Sequence, residues 1–282
     1  MQTQRSLRSN AIMPQHHMNQ YLSTYSPRGT IPDNLDPFLT FDEFHMSRPV
    51  FPPHPHAGFS VLTYVFEDSQ GAIINRDSYG DHSRIAPGGL HWTQAGRGAQ
   101  HEENPERPYQ DTHGLQFWVN HSSANRLIDP KAIHAEPNEI TETFPSAGSR
   151  VRVLAGQAYG VQATFTPVTP IVLLELHLEA NASLTLNAPR DHTALLTIVR
   201  GSAKIGNSWL ETHTIATFET DGDTIDLVAG TNGLNALFAS AKPLNQATVF
   251  GGPFVMDNQQ QLQEARNRFQ RGEMGLLDSS AE

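Results

Sequence analysis

Short runs of β-prone residues, separated by turn residues, make up residues 37–120. Aliphatic, β-branched and aromatic side chains are concentrated in each run, and clusters of Gly, Pro, Asp or Ser separate the runs. Short strands at this spacing are typical of an antiparallel barrel or sandwich. The predicted strands of this first block are residues 61–66, 71–74, 90–93 and 115–119.

A second β-rich block follows a more polar segment, residues 121–149, which contains Asp129-Pro130, Glu136-Pro137 and Pro145-Ser146. Segments of this kind are typical of domain junctions. The two blocks have similar strand spacing but different residues, which predicts two related barrels. The strands predicted in the second block are residues 171–178, 183–186, 194–199, 203–205, 214–218, 225–228 and 235–239.

The last part of the chain has a helical pattern. Leu262, Ala265 and Phe269 recur at helix-like spacing in a segment rich in Gln, Glu, Arg and Ala. We therefore expect one C-terminal helix at about residues 258–274, followed by a frayed end. The predicted domains are an N-terminal barrel over residues 1–140, with a flexible tail to about residue 20, and a C-terminal barrel over residues 141–282 that carries the helix.

Composition narrows the possible classes of function. The 282 residues suit two domains, and 29 acidic against 19 basic side chains leave a net charge of -10, which disfavours direct binding of nucleic-acid phosphates. Neither a signal-peptide pattern nor an apolar run of about eighteen residues is present, so we expect a cytoplasmic protein without a membrane span. Cys is absent, so a metal would be held by imidazole or oxygen ligands.

Two pairs of residues at i and i+2 are candidate metal ligands. His54 and His56 flank a proline, and His101 and Glu103 follow a glycine-rich turn. In a strand, residues two apart point to the same side, so each pair can aim at one point inside a barrel. Taken alone, each pair is more often a set of loop or surface residues. Together they would supply three imidazoles and one carboxylate, which suits Fe(II), Mn(II), Ni(II), Cu(II) or Zn(II).

The residues resemble the pirin family of two-barrel cupins along residues 36–256. The matching stretches, in order, are Asp36-Pro37-Phe38-Leu39 with Asp42-Glu43-Phe44, His54-Pro55-His56-Ala57-Gly58-Phe59, Pro87-Gly88-Gly89, Trp92-Thr93-Gln94-Ala95-Gly96-Arg97-Gly98, His101-Glu102-Glu103, His113-Gly114-Leu115-Gln116-Phe117-Trp118-Val119-Asn120 and Gly252-Pro253-Phe254-Val255-Met256.

The resemblance implies an all-β fold of two cupin barrels (double-stranded β-helix, or jelly-roll) packed together, with a short C-terminal helix. It implies one divalent metal ion, Fe(II) by preference over Mn, Ni, Cu, Co or Zn, held in the first barrel by His54, His56, His101 and Glu103. It also implies a second barrel without metal ligands. An Arg often follows the second histidine in the family, and its replacement by Ala57 is expected to remove a positive group near the metal pocket.

The leading functional hypothesis is a dioxygenase resembling the quercetinases among pirins, which open the central ring of a flavonol with dioxygen and release carbon monoxide. Glu103 would be the catalytic base, and Phe59, Trp92 or Phe117 would form aromatic walls around a small aromatic or enolic substrate. The alternative is a metal- and redox-dependent regulatory protein that binds transcription factors or metabolic enzymes. A third possibility is a different enolisable substrate for the same site.

Other polar groups receive simpler interpretations. Glu175, His177 and Glu179 share one predicted strand face, but no partner pair follows them, so we interpret them as an outward polar face. The run from Gly96 to Gly98 lacks the strand-to-helix pattern of a phosphate loop and is interpreted as a turn that positions His101.

Overall fold

The computed structural model describes residues 3–30 and 35–279. Within these ranges the chain forms 24 strands, one short 3-10 helix at Pro137–Glu139 and one α-helix, α1, at Gln259–Gln270. The predicted all-β architecture with a C-terminal helix is therefore confirmed.

The strands, in chain order, are β1 (Leu7–Ile12), β2 (Gln15–Asn19), β3 (Leu22–Tyr25), β4 (Phe38–Met46), β5 (His54–His56), β6 (Phe59–Val65), β7 (Ile73–Asp77), β8 (His82–Ile85), β9 (Leu90–Gln94), β10 (Ala99–Pro105), β11 (Thr112–Asn120), β12 (Lys131–Ala135), β13 (Thr141–Thr143), β14 (Ser149–Ala155), β15 (Gln157–Ala158), β16 (Val161–Gln162), β17 (Val172–Leu178), β18 (Ser183–Asn187), β19 (Thr193–Ile205), β20 (Ser208–Glu211), β21 (Thr214–Phe218), β22 (Thr224–Ala241), β23 (Val249–Phe250) and β24 (Val255–Met256).

Two compact units divide the described residues. The unit that we call the N-terminal barrel comprises residues 15–26, 38–138 and 244–279, and the C-terminal barrel comprises residues 3–14, 27–30, 35–37 and 139–243. This division differs from the predicted one, in which residues 1–140 and 141–282 form the two domains. Both ends of the chain belong to the opposite barrel from the one expected.

The N-terminal barrel is built from two antiparallel sheets. One has the strand order β12-β9-β6-β11-β4-β3-β2 and the other β5-β10-β7-β8. Every residue of β6 and of β10 is buried. In β6 this matches a run that consists mostly of aliphatic and aromatic side chains, whereas β10 buries His, Glu and Asn side chains. Buried polar groups of this kind need partners inside the protein, so β10 is where chemistry is expected.

The C-terminal barrel has a conventional apolar core. Its main sheet runs β1-β21-β19-β22-β17-β14-β13, with β18 paired to β22 and β20 paired to β19. Leu174, Leu176 and Leu178 alternate along β17 and all enter the core, where they meet Leu196 and Ile198 of β19. The residues between these leucines face away from the core, as expected for a strand.

The N-terminal segment is not the flexible tail that was expected up to about residue 20. Strand β1 pairs with β21 in the C-terminal barrel, and β2 pairs with β3 in the N-terminal barrel. Arg5 is almost fully buried and donates to the carbonyl of Glu219. The polar side chains of this segment gave no strand pattern in the sequence. Its strands form through backbone hydrogen bonds, which any non-proline sequence can make.

The C-terminal helix lies within the predicted range but is shorter. Its N-cap is Asn258, whose side chain accepts a hydrogen bond from the backbone N–H of Gln261 at 2.9 Å. Leu262 and Ala265 are fully buried, as their spacing predicted, whereas Phe269 remains 37% exposed. The buried side chains join Ala57 in one apolar cluster of the N-terminal barrel.

Residues after the second barrel return to brace the strand that carries the first histidine pair. The backbone N–H of Val255 donates to the carbonyl of Ala57 at 3.0 Å, and a buried arginine, Arg126, donates to the carbonyls of Gly58 and Val255. A Cβ atom built on Gly58 would lie 1.8 Å from the carbonyl oxygen of Val255. Only glycine permits this close approach.

A cluster of histidine and acidic side chains connects β4, β11 and the turn after β6. The two ring nitrogens of His113 donate to Glu43 at 3.2 Å and to Asp68 at 3.0 Å, and its ring stacks on His45 with centroids 4.4 Å apart. His45 in turn donates to Asp111 at 2.9 Å. Both nitrogens of His113 are occupied by carboxylates, so we interpret the cluster as a buried ion-pair network and not as a metal site.

The pKa of His113 reflects opposing effects. Burial lowers it, but the hydrogen bonds and charges of Glu43 and Asp68 outweigh burial and raise the pKa above its ordinary value. The charged imidazolium is therefore favoured in the folded protein.

Substituting Gly58 with Ala will destabilise the protein more than the same change at Gly80. Both glycines have positive φ, 90° and 98°, but nothing lies within 4 Å of a Cβ at Gly80. Backbone strain alone predicts a loss of about 1–2 kcal/mol for Gly80→Ala. The clash at Gly58 adds about 1–3 kcal/mol. Urea unfolding followed by tryptophan fluorescence measures both, and equal losses would contradict the close approach.

The stabilising effect of His113 will decline as pH rises. Because its folded pKa is raised above the unfolded value near 6.5, its contribution is fully present below pH 6.5 and is lost as pH rises through the folded pKa. The difference in unfolding free energy between wild type and His113→Gln should therefore be larger at pH 6 than at pH 9. A difference that does not change between these pH values would show that Glu43 and Asp68 do not hold a charged imidazole.

Candidate metal centre

Three histidines converge where β5 and β10 pair. The antiparallel register places His101 opposite His54 and Ala99 opposite His56. Each of the three imidazoles offers a nitrogen, and these nitrogens lie within 4.8 Å of one another. The ring centroids are 4.7–4.9 Å apart. Strand pairing thus brings His101 together with two histidines that lie far from it in the chain.

The histidines are neutral at physiological pH. His56 and His101 are almost completely buried, and His54 is partly buried. Burial lowers the pKa of His56 to about 3, with a further contribution from His54, and burial also lowers the pKa values of His101 and His54. Metal ions bind neutral imidazole, so the cluster is in the protonation state that coordination requires.

Hydrogen bonds orient two of the rings. Nδ1 of His54 donates to the carbonyl of Pro52 at 3.0 Å, and Nδ1 of His101 faces Oδ1 of the fully buried Asn75 at 3.4 Å. When Nδ1 carries the proton, the lone pair of Nε2 is free. A hydrogen bond on the other ring nitrogen is the usual support for a metal-binding histidine.

Several polar atoms of the cluster are buried without a hydrogen-bond partner among the described residues. They include Nε2 of His56, Nε2 of His101 and Oε1 of Glu103. Leaving a buried polar atom unpaired costs roughly 1–3 kcal/mol. A divalent cation held between the imidazoles would satisfy the two histidine nitrogens, so the three histidines fit a metal ion by burial, by protonation state and by donor type.

Glu103 lies on the same face of β10 as His101, two residues further on, but it is not part of the three-histidine group. Its Oε2 accepts a hydrogen bond from Nε2 of Gln116 at 3.1 Å. Burial raises the pKa of Glu103 to about 7, while hydrogen bonds from Thr63 and Gln116 act in the opposite direction. Glu103 is thus held at Oε2, while Oε1 has no hydrogen-bond partner among the described residues, and its role as a metal ligand stays a prediction.

Glu102 faces the other side of β10, as strand alternation predicts. Its carboxylate is almost fully buried and pairs with Nη1 of Arg76 at 2.7 Å. This ion pair links β10 to β7 and leaves the histidine side of the strand to Glu103.

The aromatic wall of the site differs from the predicted one in two of three residues. Phe59 contacts His56 as expected, with centroids 5.2 Å apart, and Trp118 contacts the same histidine at 5.2 Å. Phe117 instead packs on Phe38 and Phe41, because neighbouring strand residues face opposite sides. On β9, Nε2 of His91 lies 3.1 Å from Nδ2 of Asn75, inside the barrel. Trp92 is the next residue and therefore lies on the opposite face of the strand.

Ala57 does not line the metal pocket. It is fully buried in the apolar cluster formed with Phe254, Met256 and α1 residues. His54 and His56 point to one side of the strand and residue 57 to the other. A side chain at residue 57 therefore faces the apolar cluster and not the histidines, so the expectation that Ala57 removes a positive group near the metal pocket is wrong.

Sequence reasoning missed three polar or aromatic residues of the site: Asn75, Gln116 and Trp118. Gln116 and Trp118 stand at i and i+2 on β11, the same spacing that revealed the ligand pairs, so their shared face was a usable signal. Asn75 had no such signal, because it approaches His101 only through the pairing of β7 with β10.

In the C-terminal barrel, Glu175 and His177 face away from the core, as expected, but they are not a solvated face. Glu175 is fully buried, 3.1 Å from Nε2 of His177 and 3.5 Å from Nη1 of the buried Arg152. These contacts describe a buried ion-pair network. No helix among the described residues is both long and apolar enough to cross a membrane.

Comparisons with known proteins follow the two barrels. Residues 15–119 match the family described as Pirin, and residues 173–275 match the family described as Pirin C-terminal cupin domain. A putative pirin-like protein of Arabidopsis thaliana is 35% identical over 265 residues, covering 90% of this chain and 94% of its own. A putative quercetin 2,3-dioxygenase of Pseudomonas aeruginosa is 30% identical, covering 88% and 90%.

A solved structure agrees with this assignment. The crystal structure of quercetin 2,3-dioxygenase from Acinetobacter baumannii superposes with a TM-score of 0.86 at 26% identity, covering 97% of this chain and 99% of that chain. Both cupin domains and the C-terminal helix are thus accounted for by one family. The chain belongs to the pirin family of two-domain cupins.

Proposed function

We propose that this protein is a metal-dependent dioxygenase that opens the ring of a flavonol or a related enolic substrate. The observation that carries the proposal is the cluster of three neutral, buried imidazoles beside Glu103, whose Oε1 is free. The names of two similar proteins support the substrate class, since the Acinetobacter baumannii protein is called quercetin 2,3-dioxygenase and the Pseudomonas aeruginosa protein is called a putative one.

His54, His56, His101 and Glu103 would hold one divalent metal ion, for which we propose Fe(II). Three nitrogens and one carboxylate oxygen also suit Mn, Ni, Cu, Co and Zn. Bound iron would supply a Lewis acid for the substrate oxygen and a redox-active centre for dioxygen. The four side chains leave further coordination positions of an octahedral ion open to these two molecules.

The protein's own residues bind and deprotonate the substrate. Glu103 shares the face of β10 that carries His101, and its Oε1 would accept the proton of the flavonol hydroxyl, which makes the substrate an anionic enolate. Phe59 and Trp118, stacked with centroids 4.5 Å apart, provide an aromatic surface for a flat ring. Phe51, 42% exposed and 6.0 Å from His54, lies at the rim of the same site.

The reaction that results consumes one dioxygen molecule and releases one carbon monoxide molecule from the central ring. Burial of the histidines and of Glu103 limits the access of water to the enolate. Regulation through protein partners is the alternative role, and the tests below distinguish it from the enzymatic one.

Protein purified without added metal should contain iron in equimolar amount, and His101→Ala should lose most of it. Loss is expected because His101 supplies one of the three imidazoles and its ring lies 4.7 Å from that of His54 and 4.9 Å from that of His56. Elemental analysis is the measurement, with His134→Ala, outside the cluster, as the control. Equal metal content in wild type and His101→Ala would contradict the proposed ligand set.

Iron-loaded protein should convert quercetin only in the presence of dioxygen, with release of carbon monoxide. Glu103→Gln should lower the turnover number by about 10²–10⁴-fold, the usual effect of removing a general base. Glu106→Gln, which alters a carboxylate paired with Arg84 just beyond β10, should leave turnover unchanged. Spectral loss of quercetin and trapped carbon monoxide are the readouts.

A protein that retains iron at the histidines but leaves quercetin and other enolic flavonols unchanged would contradict the enzymatic proposal. The metal-dependent regulatory role would then be the better explanation. Turnover that persists fully in Glu103→Gln would remove Glu103 from the catalytic role while leaving the activity itself in place.

A further inference from the structure

The two oxygens of Glu103 are in different environments. Oε2 accepts a hydrogen bond from Nε2 of Gln116 at 3.1 Å, whereas Oε1 is buried without a hydrogen-bond partner among the described residues. Thr63 also hydrogen-bonds the carboxyl group. Thr63 and Gln116 are directly opposite each other on β6 and β11, so their side chains reach Glu103 from one face of the sheet. The carboxylate is therefore held by one sheet while its backbone belongs to the other.

The amide of Gln116 is itself held in one orientation. Its Oε1 accepts from the indole Nε1 of Trp118 at 3.4 Å. Indole N–H is only a donor and an ionised carboxylate is only an acceptor, so the amide must place its oxygen toward Trp118 and its NH₂ toward Glu103. In the flipped orientation, the amide NH₂ would face the indole N–H, which is also a donor, and the amide oxygen would face the carboxylate, which is also an acceptor.

Trp118 is packed between two aromatic residues of the site, Phe59 and His56. Its ring stacks on Phe59 at 4.5 Å and meets the edge of His56 at 5.2 Å. Gln116 and Trp118 stand two residues apart on β11, so both face the histidines. The order of contacts is therefore His56 and Phe59, then Trp118, then Gln116, then Glu103.

We infer that Trp118 and Gln116 form a positioning relay that sets the rotation of the Glu103 carboxylate. The relay occupies Oε2 and presents Oε1, as a single oxygen, to the metal and the substrate hydroxyl. Without it, the carboxylate would lose the hydrogen bond that fixes Oε2 and would keep only the contact with Thr63 among the described residues, so it could rotate and present both oxygens. This inference rests on the proposed metal centre and adds to it the residues that determine how Glu103 takes part.

Cobalt(II) binding to metal-free full-length protein tests the relay without relying on turnover. The visible absorption of Co(II) changes with coordination number and geometry, so it reports whether Glu103 presents one oxygen or two. Gln116→Met keeps the length of the side chain and removes the donor. Trp118→Phe keeps an aromatic ring on Phe59 and removes the N–H. Gln94→Met, whose wild-type amide donates only to the carbonyl of Asp129, is the matched control.

We expect Gln116→Met to change the Co(II) spectrum and to weaken Co(II) affinity by about 10–100-fold, as is usual when the partner of a ligating group is removed. Trp118→Phe should change the spectrum in the same direction. Gln94→Met should match wild type in both. Far-UV circular dichroism checks folding, and should Gln116→Met not fold, Trp118→Phe decides the question.

The outcomes separate the relay from the metal centre. If wild type and His101→Ala bind Co(II) equally, the proposed centre fails and the relay with it. If wild type binds Co(II) through His101 but Gln116→Met and Trp118→Phe keep its spectrum and affinity, the relay is wrong and the centre stands. If only Gln116→Met differs from wild type, Trp118 does not orient the amide, and the relay as stated is overturned.

Discussion

Antiparallel pairing of β5 with β10 is the interaction on which the site depends. Its register sets His54 opposite His101 and leaves His56 on the same face, so a shift of one residue would turn β10's ligands to the opposite side. The rest of the N-terminal barrel maintains this register. The carbonyl and N–H of Ala57 pair with the segment around Val255, and the ion pair between Arg76 and Glu102 holds β10 to β7.

Burial gives the site its chemistry and also its energetic cost. The imidazoles and Glu103 are removed from water, which keeps the histidines neutral and raises the pKa of the carboxyl group. An interior with unpaired nitrogens and an unpaired carboxylate oxygen is unfavourable by itself. A bound cation offsets that cost, so the features that destabilise the metal-free barrel are the same ones that select for a metal.

The two barrels handle buried polar groups differently. In the C-terminal barrel, Glu175 is paired with Arg152 and lies 3.1 Å from Nε2 of His177, and the core is closed by leucine side chains. In the N-terminal barrel His113 is paired with Glu43 and Asp68, whereas the three-histidine cluster contains ring nitrogens without a hydrogen-bond partner among the described residues. Among the described clusters, the histidine cluster is thus the one prepared for an external cation.

The sequence by itself determined the all-β character, the position of the helix and the shared strand faces of the two candidate ligand pairs, because strand and helix periodicity and i, i+2 geometry are local properties. It also carried the motifs of the family. Tertiary structure alone decided which barrel contains each end of the chain and that Ala57 faces away from the site. It also decided that Gln116 donates a hydrogen bond to Glu103. These features depend on contacts between residues far apart in the chain, such as Ala57 with Val255, and no local pattern encodes which strands will meet.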